Sequence, residues 1–293
     1  HEDARENLLF IDFSRHFGAK GLRVPGVRAV GEGARVYLQE DLGTVTLLDA
    51  VERAGEGLSP GTLDLYRQAL EELTRFQLLG HEGLDYARCL PRPRFDGRCV
   101  AWDLNYYKYC FLRLAGVAVD EQRLEEDFER LAALVDAERS DSFMYRDFQS
   151  RNIMVKGGLL YFIDYQGGRR GALPYDVASL LHDAIVEIPD AQREELLDHY
   201  LSRLSPRRPV EARRLRSVYD HFALVRLLQA MGAFGLRGLH EGKRHFLDSI
   251  RPGLRAVVSL FAPGRLAAVY PEIERGARAA LQQYAGDEGR IEK

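Results

Sequence analysis

Three cysteines among 293 residues, none in a Cys-x-x-Cys pair or near a histidine cluster, exclude a disulfide framework and a thiolate zinc site. Cys89, Cys99 and Cys110 therefore fit the reducing environment of the cytoplasm. An excess of one charge is also missing. Lys and Arg number 41 against 44 Asp and Glu, and the formal net charge of −3 gives no bulk attraction for nucleic acid or an anionic membrane. Uncharged apolar stretches such as Leu8 to Ile11 fall far short of the roughly 20 residues that a membrane-spanning helix needs. No signal peptide, internal repeat or low-complexity linker is recognised.

What is present is length and apolar content. A chain of 293 residues with 46% hydrophobic residues exceeds the usual single core, so two lobes are expected. Leu9, Phe13 and Phe17 recur every fourth residue and stop at Gly18 and Gly21, which predicts a first amphipathic helix. Two short strands, "GVRAV" and "ARVYLQE", flank a "GEG" turn at 31–33. Ser59-Pro60 opens a helix that carries Leu63, Tyr66, Leu70 and Leu73 to a stop at Gly80. Asp120 opens another, with Leu124, Phe128, Leu131 and Val135 on one face. The segments "PYDVASLLHDAIVEI", "AQREELLDHYLSRL" and "VEARRLRSVYDHFALVRLLQAMGAF" continue the helical pattern, and "GDEGRIEK" at the end suits a linker.

One hairpin interrupts this helical half. In "YRDFQSRNIMVKGGLLYFIDYQ" the runs "NIMVK" and "LLYFID" flank Gly157-Gly158, a turn whose two central positions both accept positive φ. Pairing Lys156 with Leu159 sets Asn152 opposite Ile163, one residue from Asp164. An amide oxygen and a carboxylate then meet at the hairpin mouth, the hard oxygen donors that Mg²⁺ takes when phosphates and water complete its shell. Asp147 lies just upstream, where its carboxylate can accept the proton of an attacking hydroxyl.

The Asp-x-x-x-x-Asn spacing followed by a strand-terminal Asp is the catalytic-loop and metal-loop order of kinases. On these residues, together with "ENLLFIDFSRHF", "VPGVRAV", "YLQEDLG" and "FIDYQGGRRGALPYDVASLLHD", the chain resembles the aminoglycoside phosphotransferase and choline kinase superfamily. Within it, the nearest likeness is to bacterial anomeric kinases of N-acetylmuramate and N-acetylglucosamine. The resemblance implies an α+β, protein-kinase-like two-lobe fold. Residues 1–42 would be a truncated N-terminal nucleotide-binding lobe with the hinge, and 43–293 a mainly helical C-terminal lobe carrying the catalytic hairpin. It implies ATP and Mg²⁺ as cofactors, a small-molecule sugar as partner, and no nucleic acid or membrane.

Carried over by position, Asp147 resembles the catalytic base, and Asn152 and Asp164 the metal ligands. Asp176 either braces the active-site loops or caps the helix from Val177, and both can hold at once. Glu6 resembles the acidic partner of a nucleotide-binding Lys. Gln39, Glu40, Asp41 and Leu42 fall at the hinge that would meet adenine. Trp102, Asn105, Tyr106 and Tyr109 offer aromatic and amide groups suited to a sugar ring, although aromatics at helical spacing are more often core. Arg169 and Arg170, in "GGRRG" after Asp164, could touch a phosphate, although a flexible turn with two exposed arginines is the favoured account.

Two positions depart from the family pattern. Tyr145 stands where a His is common, and Gln166 where many members have a second acidic residue. A Gly-rich loop and strand Lys would precede the helix of Glu6, so this polypeptide is expected to turn over poorly until an upstream segment supplies them. A coupled ADP-release assay comparing the two lengths tests that. The arginines between 213 and 244, with Lys243, read either as a wall that repels polycationic aminoglycosides and admits amino sugars or as solvated helix faces, the commoner case for isolated arginines. A reading from another class is a non-catalytic nucleotide-sensing or scaffold module; intact Asp147, Asn152 and Asp164 count against it.

Overall fold

The computed structural model describes residues 4–53, 57–138 and 141–285; the "GDEGRIEK" tail lies outside them. In chain order the elements are α1 (Ala4–Ala19), β1 (Val27–Val30), β2 (Tyr37–Gln39), α2 (Leu47–Glu52), α3 (Pro60–Arg75), α4 (Gly97–Tyr107), α5 (Glu121–Ala137), β3 (Phe143–Met144), β4 (Ile153–Lys156), β5 (Leu159–Phe162), β6 (Arg169–Arg170), α6 (Pro174–Leu181), α7 (Asp190–Leu204), α8 (Pro209–Phe234), α9 (Arg244–Asp248), α10 (Ile250–Ser259) and α11 (Pro271–Ala285). The strands pair as three antiparallel two-stranded sheets, β1-β2, β3-β6 and β4-β5.

The chain divides into two units. One comprises His1–Phe95 and Ser140–Ser217, the other Asp96–Arg139 and Val218–Lys293. Residues 1–42 thus fall in the same unit as the hairpin.

In the first unit the hairpin has the expected register, Lys156 opposite Leu159 and Ile153 opposite Phe162. Gly157 and Gly158 both take positive φ, 59° and 75°, which the turn requires. The hairpin is bonded on both outer edges. Val155 N–H donates to Val45 O at 2.9 Å on one side, and Phe162 N–H to Arg23 O at 2.9 Å on the other. Beneath it lies an aromatic cluster in which Phe17, Phe76, Phe143, Tyr145, Phe148, Phe162 and Tyr165 are all fully buried. Phe17 contacts Phe76, Phe143 and Tyr165 edge-on, so α1 is anchored directly to the residue after Asp164. Tyr165 O–H and Ser14 Oγ lie 2.5 Å apart and tighten the same contact.

Helix starts match their sequence signals. Ser59 Oγ accepts from Thr62 N–H ahead of α3, and the Asp120 carboxylate from Arg123 N–H ahead of α5. Helix ends are less regular: α3, α4 and α8 each run on through a π turn, at Phe76–Gly80, Lys108–Leu112 and Gly235–His240. The segment after "PYDVASLL" leaves the helix at Leu181, short of the expected "HDAIVEI".

The helical stretch Pro209–His240 is long and apolar enough to cross a membrane by length and composition alone, with a mean hydropathy of 1.2 over its best window. Counting only uncharged runs missed it, because that window tolerates an isolated charge. Of that window 67% is buried within the protein, as in the core helix of a globular fold.

Candidate active site

The loop from Tyr145 to Asn152 is fixed from several sides. Asp176, fully buried, accepts N–H bonds from Tyr145 at 2.8 Å and Arg146 at 2.9 Å. It sits inside the first turn of α6, with Leu173 flanking the helix, so its carboxylate serves the loop instead of capping its own helix. Burial pushes this carboxyl up to about 7, against the two N–H bonds that favour its ionised form. Arg146 takes φ 82°, a left-handed conformation unusual for a side-chain-bearing residue. Its guanidinium lies over the rings of Phe95 and Tyr175 at 5.0 and 5.2 Å, and donates to Tyr175 Oη at 2.6 Å. Tyr145, the residue in place of the common His, donates its O–H to Ile163 O at 2.6 Å. That bond ties the Tyr145 to Asn152 loop to the residue before Asp164.

Asn152 and Asp164 converge. Asn152 Nδ2 donates to Asp147 O at 2.9 Å and to Asp164 Oδ2 at 3.2 Å. Asp164 also adopts a left-handed backbone, φ 67°. Its carboxyl is raised above the ordinary value, first by desolvation and then by the negative charge of Asp147, while solvent on its open side limits the effect. A carboxyl group whose ionisation is opposed by a neighbouring negative charge is a favourable place for a cation. Among the described residues no group of three or more His, Cys, Asp or Glu could hold a metal on its own. A donor set of one carboxylate and one amide fits a cation that phosphates and water complete, which is the habit of Mg²⁺.

Asp147, Asp164 and Glu6 line one cavity of about 630 Å³ together with Arg5, Gln166 and Arg169. Acids and guanidiniums thus share a single space, able to hold both a cation and an anionic group. Arg5 gave no sequence signal. Arg169 was expected exposed in a turn; it is 7% exposed, because β6 pairs with β3 and its guanidinium donates to Gly167 O from Nη2 at 2.8 Å.

Of the residues expected at a hinge, Leu42 is buried, Gln39 and Asp41 are exposed and Glu40 is half-buried. Lys156 Nζ bonds Asp41 O at 2.8 Å and Glu40 Oε1 at 3.1 Å, joining this segment to the hairpin tip. Trp102, Asn105, Tyr106 and Tyr109 belong to the second unit. Trp102 and Tyr109 are 47% and 57% exposed. Asn105 Nδ2 is engaged by Ala101 O at 2.9 Å, and a half-buried Tyr106 packs on Gly232.

The model of the phosphotransferase enzyme family matches residues 1–216. The N-acetylmuramate/N-acetylglucosamine kinase of Pseudomonas aeruginosa is 26% identical over 258 residues, which are 85% of this chain and 71% of that protein. Among solved structures, a Plasmodium vivax ethanolamine kinase superposes with a TM-score of 0.59 at 13% identity, over 84% of this chain and 71% of its own. An amicoumacin kinase in complex with AMP-PNP, Ca²⁺ and Ami superposes at 0.53 and 14% identity, over 85% and 78%. At such identities these two likenesses establish the fold, α+β and protein-kinase-like.

Proposed function

The chain belongs to the phosphotransferase enzyme family and is a small-molecule kinase; we propose that it moves the γ-phosphoryl group of ATP, with Mg²⁺, onto the anomeric hydroxyl of an amino sugar of the N-acetylmuramate or N-acetylglucosamine type. The observation that carries this reading is that Asp147 and Asp164 line one cavity and that Asn152 hydrogen-bonds to both residues. The substrate class rests on the name of the Pseudomonas relative. The pairing of nucleotide with divalent cation is supported by the AMP-PNP and Ca²⁺ of the amicoumacin kinase.

Under this reading Asp147 orients the acceptor hydroxyl and takes its proton as the phosphoryl group arrives. Asn152 Oδ1 and the Asp164 carboxylate would hold Mg²⁺, whose bound charge offsets that of the transferring group. Arg5 and Arg169, in the same cavity, add positive charge for the anionic parts of the reactants. Asp176 and Tyr145 keep the loop in its strained shape without touching substrate. Glu6 would orient a nucleotide-binding Lys, residues 39–42 would meet adenine, and the Trp102 to Tyr109 face would receive the sugar.

Replacing Asp147 with Asn is expected to lower phosphorylation by roughly 10²–10⁴-fold, the usual weight of a general base, while affinity for a non-hydrolysable ATP analogue holds. A coupled ADP-release assay beside analogue titration reads both. Turnover at the wild-type rate would refute the role of Asp147.

A further inference from the structure

Gln166 stands where a second acidic residue is common, and the sequence gives it no task. The structure places its amide between two polar demands. Nε2 donates to Asp164 Oδ1 at 2.8 Å, while Asn152 Nδ2 donates to the other oxygen, Oδ2, at 3.2 Å. Each oxygen of the carboxylate is therefore held by one neutral amide. Rotating the Gln166 amide by half a turn would set Oε1 against Asp164 Oδ1, acceptor against acceptor, so the orientation is locked.

Locking it leaves Oε1 buried and without a hydrogen-bond partner among the described residues. Gln166 lines the same cavity as Asp147 and Asp164. A buried acceptor with no donor is unfavourable in the unliganded protein and is uncommon unless a ligand completes it. An acid at this position would offer acceptors only and would repel Asp164; an amide holds Asp164 and keeps one acceptor in reserve.

Resting on the cation site proposed above, we infer that Gln166 is a positioning residue for that site: its Nε2 fixes the Asp164 carboxylate, and its Oε1 accepts a hydrogen bond from water entering with a hydrated divalent cation. Partners that orient ligating carboxylates typically account for a 10–100-fold effect on metal affinity.

The test is direct binding of Mn²⁺ alone to the full chain, read by electron paramagnetic resonance of the free ion, with thermal unfolding alongside. Gln166→Met is close in size and lacks both polar atoms. It is expected to weaken Mn²⁺ binding by roughly tenfold without lowering the unfolding midpoint, since an unsatisfied acceptor is removed with the donor. Gln166→Leu is the second variant should the first fold poorly. A fall in the midpoint with Mn²⁺ affinity unchanged would make Gln166 merely structural and overturn the inference. Unchanged Mn²⁺ affinity with a raised KM for the sugar would assign Oε1 to the acceptor instead, and would also overturn it. Asp164→Asn separates the two layers: if it binds Mn²⁺ as the wild type does, the cation site itself is wrong, whereas loss of binding there with none in Gln166→Met sinks the Gln166 inference alone.

Discussion

Asp176 holds a carboxylate away from water, compensated by two backbone N–H bonds from the loop and by the Gln77 side chain. Burial dominates and raises its pKa to about 7 from an unfolded value of about 3.9. Between those values the folded protein binds more protons at this group than the unfolded chain does. The stability it contributes is therefore complete below the unfolded value and is lost as pH rises through about 7. Asp176→Asn removes the titration. Across pH 4 to 8 the wild type is expected to lose unfolding midpoint relative to the variant, with the loss concentrated below neutrality. A difference that does not vary with pH would mean that the carboxylate keeps an ordinary pKa. The sequence offered two tasks for this residue, a brace and a helix cap, and could not choose between them. The choice depends on which N–H groups arrive from Tyr145 and Arg146, some 30 positions upstream. Gln166 and Arg169 were opaque for a related reason: one was read as a missing acid and the other as a loop cation, and only the cavity they share gives them a common setting.

At the scale of elements, legibility followed local chemistry. The β4-β5 register could be read because two glycines fix the turn and a period of two does the rest, and helix starts could be read from Ser59 and Asp120. The π turns closing α3, α4 and α8 could not, since the apolar spacing continues through them unchanged. The pairing of β6 with β3 was also hidden, because two residues carry no periodicity. Its signal was glycine: a Cβ at Gly168 would meet Phe143 Cζ at 2.2 Å and Tyr165 O at 2.9 Å. The backbone approaches the aromatic cluster too closely for any side chain, so Gly168→Ala must displace Phe143 or open the strand pair. The expected cost is about 1–3 kcal/mol, typical of overpacking a filled core, read as a lower denaturant midpoint at constant slope. Because Gly168 follows Asp164 by only four residues, phosphorylation should fall as well. A variant as stable as the wild type would show that the ring can move aside freely.

For the whole molecule, the kinase fold was legible and the acceptor was not, because one scaffold serves kinases named for ethanolamine, amicoumacin and amino sugars alike. Charge was expected to decide, through an arginine wall between 213 and 244. The folded chain disperses it. Arg216 is paired with Glu194 and Asp198 at 2.6 Å each, Arg237 and Lys243 share Glu241, and Arg226 is buried beside Gln229. Cations neutralised in this way exert little repulsion beyond a Debye length of about 8 Å at physiological salt, which weakens the basis for excluding a polycation although Arg213, Arg214 and Arg244 stay exposed. On the amino-sugar reading, selection would then come mainly from contacts at the site, which are short-ranged and insensitive to ionic strength. A panel of N-acetylmuramate, N-acetylglucosamine, ethanolamine, choline and an aminoglycoside is therefore expected to favour the N-acetyl sugars in kcat/KM by at least about tenfold, within reach of a few well-placed contacts. That preference should persist as salt is raised, and chelation of divalent metal should abolish activity on every member until Mg²⁺ is returned. An aminoglycoside as the best acceptor would overturn the amino-sugar reading while leaving the phosphotransferase chemistry intact. A sugar preference that collapses with salt would restore the long-range electrostatic explanation that the paired arginines argue against.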